Sequence, residues 1–215
     1  MPVGAGNTWR GMAHVALLAG VLTGCSEASE GDDTKASGRP SATAETSGKD
    51  SKNGKAAVTG GTIGAAGSAC ELPVRFDIAK SWTAEAVEAP LRQGPVSLAC
   101  EIDAKPAGNI GFLRVWTGTS GDADADARTV LEAFVAAEDG ADKARYRSFR
   151  SGELHGVEVE YLYAGELLDE KKEESAFAVV TADGPVVVHL GGLDTEEHEE
   201  MLPAYQLAER TLSTA

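Results

Sequence analysis

The sequence predicts an α+β domain: a mostly antiparallel sheet of about six or seven strands, flanked by two main helices and preceded by a signal peptide and a disordered linker. Three observations carry this expectation. Short apolar runs bounded by Gly and Pro recur after residue 69, as strands do. Two longer segments place their apolar residues at helical intervals. Before residue 69, large apolar side chains are confined almost entirely to one short run near the start. The order strand, strand, strand, helix, four strands, helix fits a single sheet with helices packed on it.

Composition narrows the function classes. The 215 residues carry 34 acids against 19 bases, a formal charge of −15, so a nucleic-acid partner would be repelled unless a basic face were segregated. Forty-two per cent apolar residues exclude both a multispan membrane protein and disorder throughout (42% in all).

Arg10 is the sole charged side chain ahead of an apolar run from Met12 to Leu22. That run is roughly half of the ~20 residues a membrane-spanning helix needs. A positive flank, a short apolar core and a small-residue exit make a secretory signal peptide. The exit, Leu22-Thr23-Gly24-Cys25, resembles the lipobox of bacterial lipoproteins. The resemblance implies cleavage before Cys25 and attachment of diacylglycerol to its thiol. Each buried acyl CH2 contributes about 0.8 kcal/mol, and two chains are the usual minimum for a stable anchor.

Residues 25–68 are expected to be the lipidated cysteine and a disordered Ser/Gly/Ala-rich tether, with 1–24 the signal peptide and 69–215 a single α+β domain. Ser26 to Ser68 contains Val58 and Ile63 as its large aliphatics and no aromatic residue. Such a stretch buries too little apolar surface to offset its ordering entropy. As a flexible coil it would reach roughly 35–40 Å. With Cys25 committed to lipid, Cys70 and Cys100 are an even, exported pair, and a Cys70–Cys100 disulfide is the economical assignment.

The domain's elements follow in order. Val74 to Ile78 alternates apolar and polar with strand period, and 97–102 and 111–117 are short apolar runs. Ala127, Val130, Leu131, Phe134 and Val135 form one helical stripe, closed by Gly140. Strands are then expected over 144–151, 157–164, 175–182 and 185–190. In 157–163 the odd positions (Val157, Val159, Tyr161 and Tyr163) should point inward. Asp183-Gly184 marks a tight turn. A final helix opens at Asp194 with Glu197 at capping-box spacing, and Met201, Leu202, Tyr205, Ala208 and Leu212 form its apolar stripe. Pro203 should kink or split it.

The stretch Phe76-Asp77-Ile78-Ala79-Lys80-Ser81-Trp82, with a terminal helix over Tyr205 to Ser213, resembles the Mog1/PsbP-like domains. Actinobacterial surface lipoproteins of the LpqN/LpqT type carry such a domain behind a lipobox and a polar linker. The resemblance implies a binding or assembly factor, with no shared catalytic residue to carry over.

Candidate chemistry is sparse. Asp122, Asp124 and Asp126 resemble the opening of an EF-hand loop, yet its sixth and twelfth positions hold Ala127 and Ala133 where Gly and Glu are required. These carboxylates are expected to cap the helix instead. Glu196 to Glu200 surround His198, but zincin spacing would need His at 202, which is Leu; His198 should edge the core. Lys143, Arg145, Arg147 and Arg150 could line a pocket for a carboxylate or phosphate. Cross-strand pairing with Glu158 and Glu160 is the favoured alternative. His155 and His189 are the candidates for a hydrolase histidine, with no serine placed beside either. No catalytic residue, metal site or cofactor is expected.

The expectation is therefore a non-catalytic binding or accessory domain, lipid-anchored at the extracytoplasmic face of the cell membrane. Its partners would be the membrane and an unknown protein or small-molecule ligand, with no nucleic acid. Alternatives are a secreted hydrolase or a structural envelope protein acting through its acidic surface.

Overall fold

The computed structural model describes residues 55–89, 91–165 and 170–215. Cys25, its lipobox and the spacer to residue 54 lie outside the described residues. The described strands are β1 (Thr59–Ile63), β2 (Val74–Ala79), β3 (Thr83–Ala86), β4 (Arg92–Gln93), β5 (Val96–Asp103), β6 (Phe112–Thr117), β7 (Ala141–Ser151), β8 (Leu154–Tyr163), β9 (Lys172–Thr181), β10 (Gly184–Gly191) and β11 (Ser213–Thr214). Helix α1 (Ala127–Ala136) lies between β6 and β7, and α2 (Thr195–Thr211) between β10 and β11.

Eight strands form the main sheet in the order β3-β5-β6-β10-β9-β8-β7, with β4 on the rim of β5. All its pairings are antiparallel. A second, three-stranded sheet runs β1-β2-β11. Helices cover both faces of the main sheet. On one face Val130, Leu131, Phe134 and Val135 of α1 pack on Leu98, Trp116, Val159 and Tyr161. On the other, Met201, Tyr205 and Ala208 of α2 join Val74 and Phe76 of β2 over Leu113, Phe177 and Val188. The fold is α+β in three layers.

Several expectations need correction. The disorder expected as far as Ser68 does not hold for the described end of that stretch, because Thr59–Ile63 is a strand pairing with β2 and Ile63 is buried. Composition misleads here because the glycines serve close backbone approach. A Cβ on Gly60 would stand 2.7 Å from the Ala79 carbonyl oxygen, and one on Gly64 would stand 1.9 Å from that of Val74. Pro203 does not split α2, which runs unbroken from Thr195 to Thr211. The buried residues flanking it, Met201, Ala204 and Tyr205, clamp the helix to the sheet. In β8, Val159 and Tyr161 point inward as expected, but Glu158, on the opposite face, is buried too. Alternation reads as inside and outside only when one face meets water.

Cys70 and Cys100 are joined, with their Cα atoms 6.0 Å apart. Cys70 precedes β2 and Cys100 lies in β5, so the bond staples the small sheet to the large one. In the Phe76–Trp82 step, Ser81 adopts φ 70°, the left-handed region, and Trp82 is buried behind it.

Two stability predictions follow from these features. Replacing both cysteines by Ala should cost about 3–4 kcal/mol on the chain-entropy account, since the bond closes a loop with a sequence separation of 30; urea unfolding of variant and parent measures it. Ser81→Gly should stabilise by about 0.5–1 kcal/mol, because relief of left-handed strain outweighs the entropy Gly adds to the unfolded chain. Thermal unfolding should show a raised midpoint.

Candidate functional site

Strand register gathers a polar cluster beneath α1. Tyr161 of β8 lies directly opposite Glu174 of β9. His189 of β10 pairs with Ala176, which puts it diagonal to Glu174 on the same face. Glu138 arrives from the turn that follows α1, and Phe134 of α1 packs edge-on against the His189 ring at 5.6 Å. Glu174 and His189 are buried, and Glu138 is half-buried.

The Tyr161 hydroxyl sits at the centre of the cluster. It lies 2.6 Å from Glu138 Oε2, 2.9 Å from Glu174 Oε2 and 3.1 Å from His189 Nε2. His189 Nε2 is itself 2.9 Å from Glu174 Oε2. Lys172 Nζ donates to Gly192 O at 2.5 Å and pairs with Glu174 Oε1 at 2.8 Å.

Burial alone would raise the Glu174 carboxyl, but His189 and Lys172 overcome it and hold the group at about 2. Glu138 moves the other way, raised by burial and by the facing Glu174 charge. Burial and both carboxylates push the Tyr161 phenol well above its ordinary value. The cluster thus combines an ionised Glu174, a neutral phenol and a carboxyl, that of Glu138, whose proton affinity is raised.

A cleft of about 380 Å³ opens over this cluster, lined by Glu138, Lys172, Glu174 and His189 with Phe112, Arg114 and Tyr163. Ile110 and Leu193 form its rim and are 56% and 55% exposed. Glu197 positions that rim. Asp194 accepts the Glu197 N–H at 2.8 Å, as the capping spacing predicts. The Glu197 carboxylate, however, accepts the backbone N–H groups of Ile110, Gly111 and Leu193 instead of closing a reciprocal box.

The β7–β8 register gives the basic residues the cross-strand partners favoured for them over a shared anion pocket, setting Arg145 opposite Glu160 and Arg147 opposite Glu158, with Arg150 opposite His155. Arg145 pairs with Glu160 at 3.4 Å, and Arg147 pairs with Glu158 and approaches Glu209 at 4.0 Å. Arg150 lies 2.8 Å from the exposed His155. Only Lys143 and Arg145 of the four reach a cleft, about 260 Å³ in volume, on the α2 face. Glu160 and Glu173 line it too, so it is not predominantly cationic.

His198 is buried at the base of that second cleft, its Nε2 lying 3.0 Å from Ser175 Oγ. Burial lowers its proton affinity. Asp126 caps α1 by accepting the Thr129 N–H at 2.9 Å, and Asp122 caps the turn at Thr119, which accounts for two of the three spaced aspartates.

Residue-type patterning did not single out Glu138, Tyr161, Lys172 and Glu174. A signal was present in that β9 carries Glu174 at a position whose neighbours on the same face, Ala176 and Ala178, are core residues.

A family model described as "Uncharacterised lipoprotein" matches residues 40–212. The chain belongs to this lipoprotein family. The solution structure of cyanobacterial PsbP (CyanoP) from Synechocystis sp. PCC 6803 is similar to it, with a TM-score of 0.51 at 12% identity. The match covers 79% of this chain and 99% of that one. At such identity the likeness shows the fold, and the lipoprotein carries a PsbP-like domain. No curated protein matches the chain. Among the described residues, no helix is long and apolar enough to cross a membrane.

The lipoprotein's buried Glu158 generates a pH prediction. Burial foremost, and repulsion from Glu209 next, raise its carboxyl from 4.5 to about 7 against the pull of Arg147 and the Tyr205 hydroxyl. The folded state therefore binds a proton that the unfolded chain releases between these values. Stability from this group is fully present below pH 4.5 and falls as pH rises towards 7, by up to about 3 kcal/mol. Glu158→Gln should flatten that slope relative to the parent in urea unfolding at stepped pH.

Proposed function

We propose that this lipoprotein is an accessory protein held at the extracytoplasmic face of the membrane through lipid on Cys25, and that its domain binds a ligand in the Glu138–Glu174–His189 cleft without transforming it. The family supports the membrane anchor, and the PsbP-like fold is consistent with an accessory role. The observation that carries the binding reading is how the cleft histidine is used. Both hydrogen bonds of His189 run through Nε2 to Glu174 and to the Tyr161 phenol, so the imidazole faces no serine or cysteine nucleophile among the described residues.

Nucleophilic hydrolysis needs a hydroxyl or thiol within hydrogen-bond reach of its base and open to substrate. Ser175 meets the first condition through His198 but is only 1% exposed. His155, the other histidine considered for hydrolysis, lies on the exposed β7–β8 ribbon beside Arg150. These placements favour binding over the hydrolase alternative. The net charge of −15 is the support for the envelope-structural alternative, whose contacts would weaken sharply with added salt.

Cell fractionation tests the anchor. Cys25→Ala should leave an uncut precursor or release the protein from membranes, and a correctly cleaved mutant that stays membrane-bound would overturn the reading. An esterase and phosphatase panel should stay blank. Turnover abolished by His189→Ala or His155→Ala would establish the hydrolase instead.

A further inference from the structure

We propose that Glu138, Glu174 and His189 form a binding site for one divalent first-row transition-metal ion at the floor of the cleft. The inference rests on the reading of this cleft as a ligand site and gives that ligand its chemical class. It also departs from the sequence-based expectation of no metal.

One donor atom from each of the three residues lies within 4.8 Å of the others. Ligands held at ~2.1 Å on one tetrahedral ion stand roughly 3.4 Å apart, so small side-chain rotations suffice to close the set. The donors come from three separate elements, the α1–β7 turn, β9 and β10, and converge on one point only in the folded chain.

Two further features point to an occupant. The Tyr161 hydroxyl has one proton to offer, yet carboxylate oxygens of both Glu138 and Glu174 lie within 2.9 Å of it. A cation relieves such a concentration of lone pairs. The second feature is access. His189 is 5% exposed, its two hydrogen bonds both use Nε2, and it lines the cleft beside Gly191. A Cβ on Gly191 would lie 3.4 Å from His189 Cε1, 3.7 Å from Glu174 Oε1 and 4.0 Å from His189 Nδ1. The absent side chain therefore leaves a window over the donor groups themselves. Gly111 differs, since a Cβ there would strike Met201 at 2.3 Å and the glycine serves packing.

Lys172 is the one cation on the cluster. It grips Glu174 Oε1 while Oε2 faces the other donors, and its second bond to Gly192 O fixes its place. A partner of this kind orients a ligating carboxylate. One imidazole with two carboxylates suits zinc, manganese or iron(II), whereas magnesium and calcium prefer all-oxygen sets.

The test uses the full-length protein in detergent, stripped of metal with a chelator. Zinc titrated by calorimetry should bind at one ion per chain, and cobalt(II) at the same site should give ligand-field absorption. Loss of even an outer partner of a metal ligand costs roughly 10–100-fold, so His189→Ala and Glu174→Gln should each weaken zinc by more than about tenfold and abolish the cobalt band. Replacement at those buried positions can unfold the domain by itself, which makes the half-buried Glu138 the decisive variant. Glu138→Gln should lose affinity with an unchanged unfolding midpoint, while His155→Ala should bind as the parent does.

No zinc binding, equal binding of magnesium, or undiminished affinity in folded Glu138→Gln would each overturn the site. If zinc fails while Cys25 still retains the protein on membranes, the metal site falls and the anchored accessory reading stands. If the anchor fails while zinc binds, the reverse holds.

Discussion

Burial of the main sheet on both faces is the constraint on which the rest of the structure depends. With α1 on one side and α2 with β2 on the other, the central parts of β8, β9 and β10 are covered on both faces. Any charged residue on these strands must find a partner inside or shift its protonation. Glu174 takes the first course, between Lys172 and His189. Glu158 takes partly the second, since Arg147 only partly offsets its burial and the nearby Glu209. Both residues would be ordinary surface acids on a sheet with one wet face.

The same constraint explains why polar groups collect where they do. The apolar cover of α1 ends at Ala136, and the chain then turns through Glu138 towards β7. Beyond that point the sheet face carries Tyr161, Glu174 and His189 in place of aliphatic residues, and the layer opens into a cleft. Its rim is held by Glu197, which binds the loop ahead of β6 and the loop after β10 through their backbone N–H groups. Glu197 thus helps start α2 and also sets the shape of the opening.

The smaller sheet has a different role. It rests on α2 and is tied to the main sheet by Cys70–Cys100, so the first described segment enters the domain as a paired strand.

Much of the architecture was legible from local pattern. Strand alternation, the α1 stripe, the Asp194 cap and the Cys70–Cys100 pair all depend on neighbours in sequence or on simple parity, and each appears in the structure. β1 was hidden because its stability comes from backbone pairing and glycine contacts, which composition does not report. For the basic cluster of Lys143 to Arg150 the sequence offered a pocket or cross-strand pairing and favoured the pairing, and strand register aims its arginines at Glu160, Glu158 and His155. Glu138, Tyr161, Glu174 and His189 span 52 positions of chain and share no local motif. Sequence alone therefore determined the α+β class, most of the strands and both helices, and the covalent bridge, since these are set by short-range chemistry. Only the tertiary fold decided the cleft, because it is made where distant strands bring charged and polar side chains together at the edge of the α1 cover.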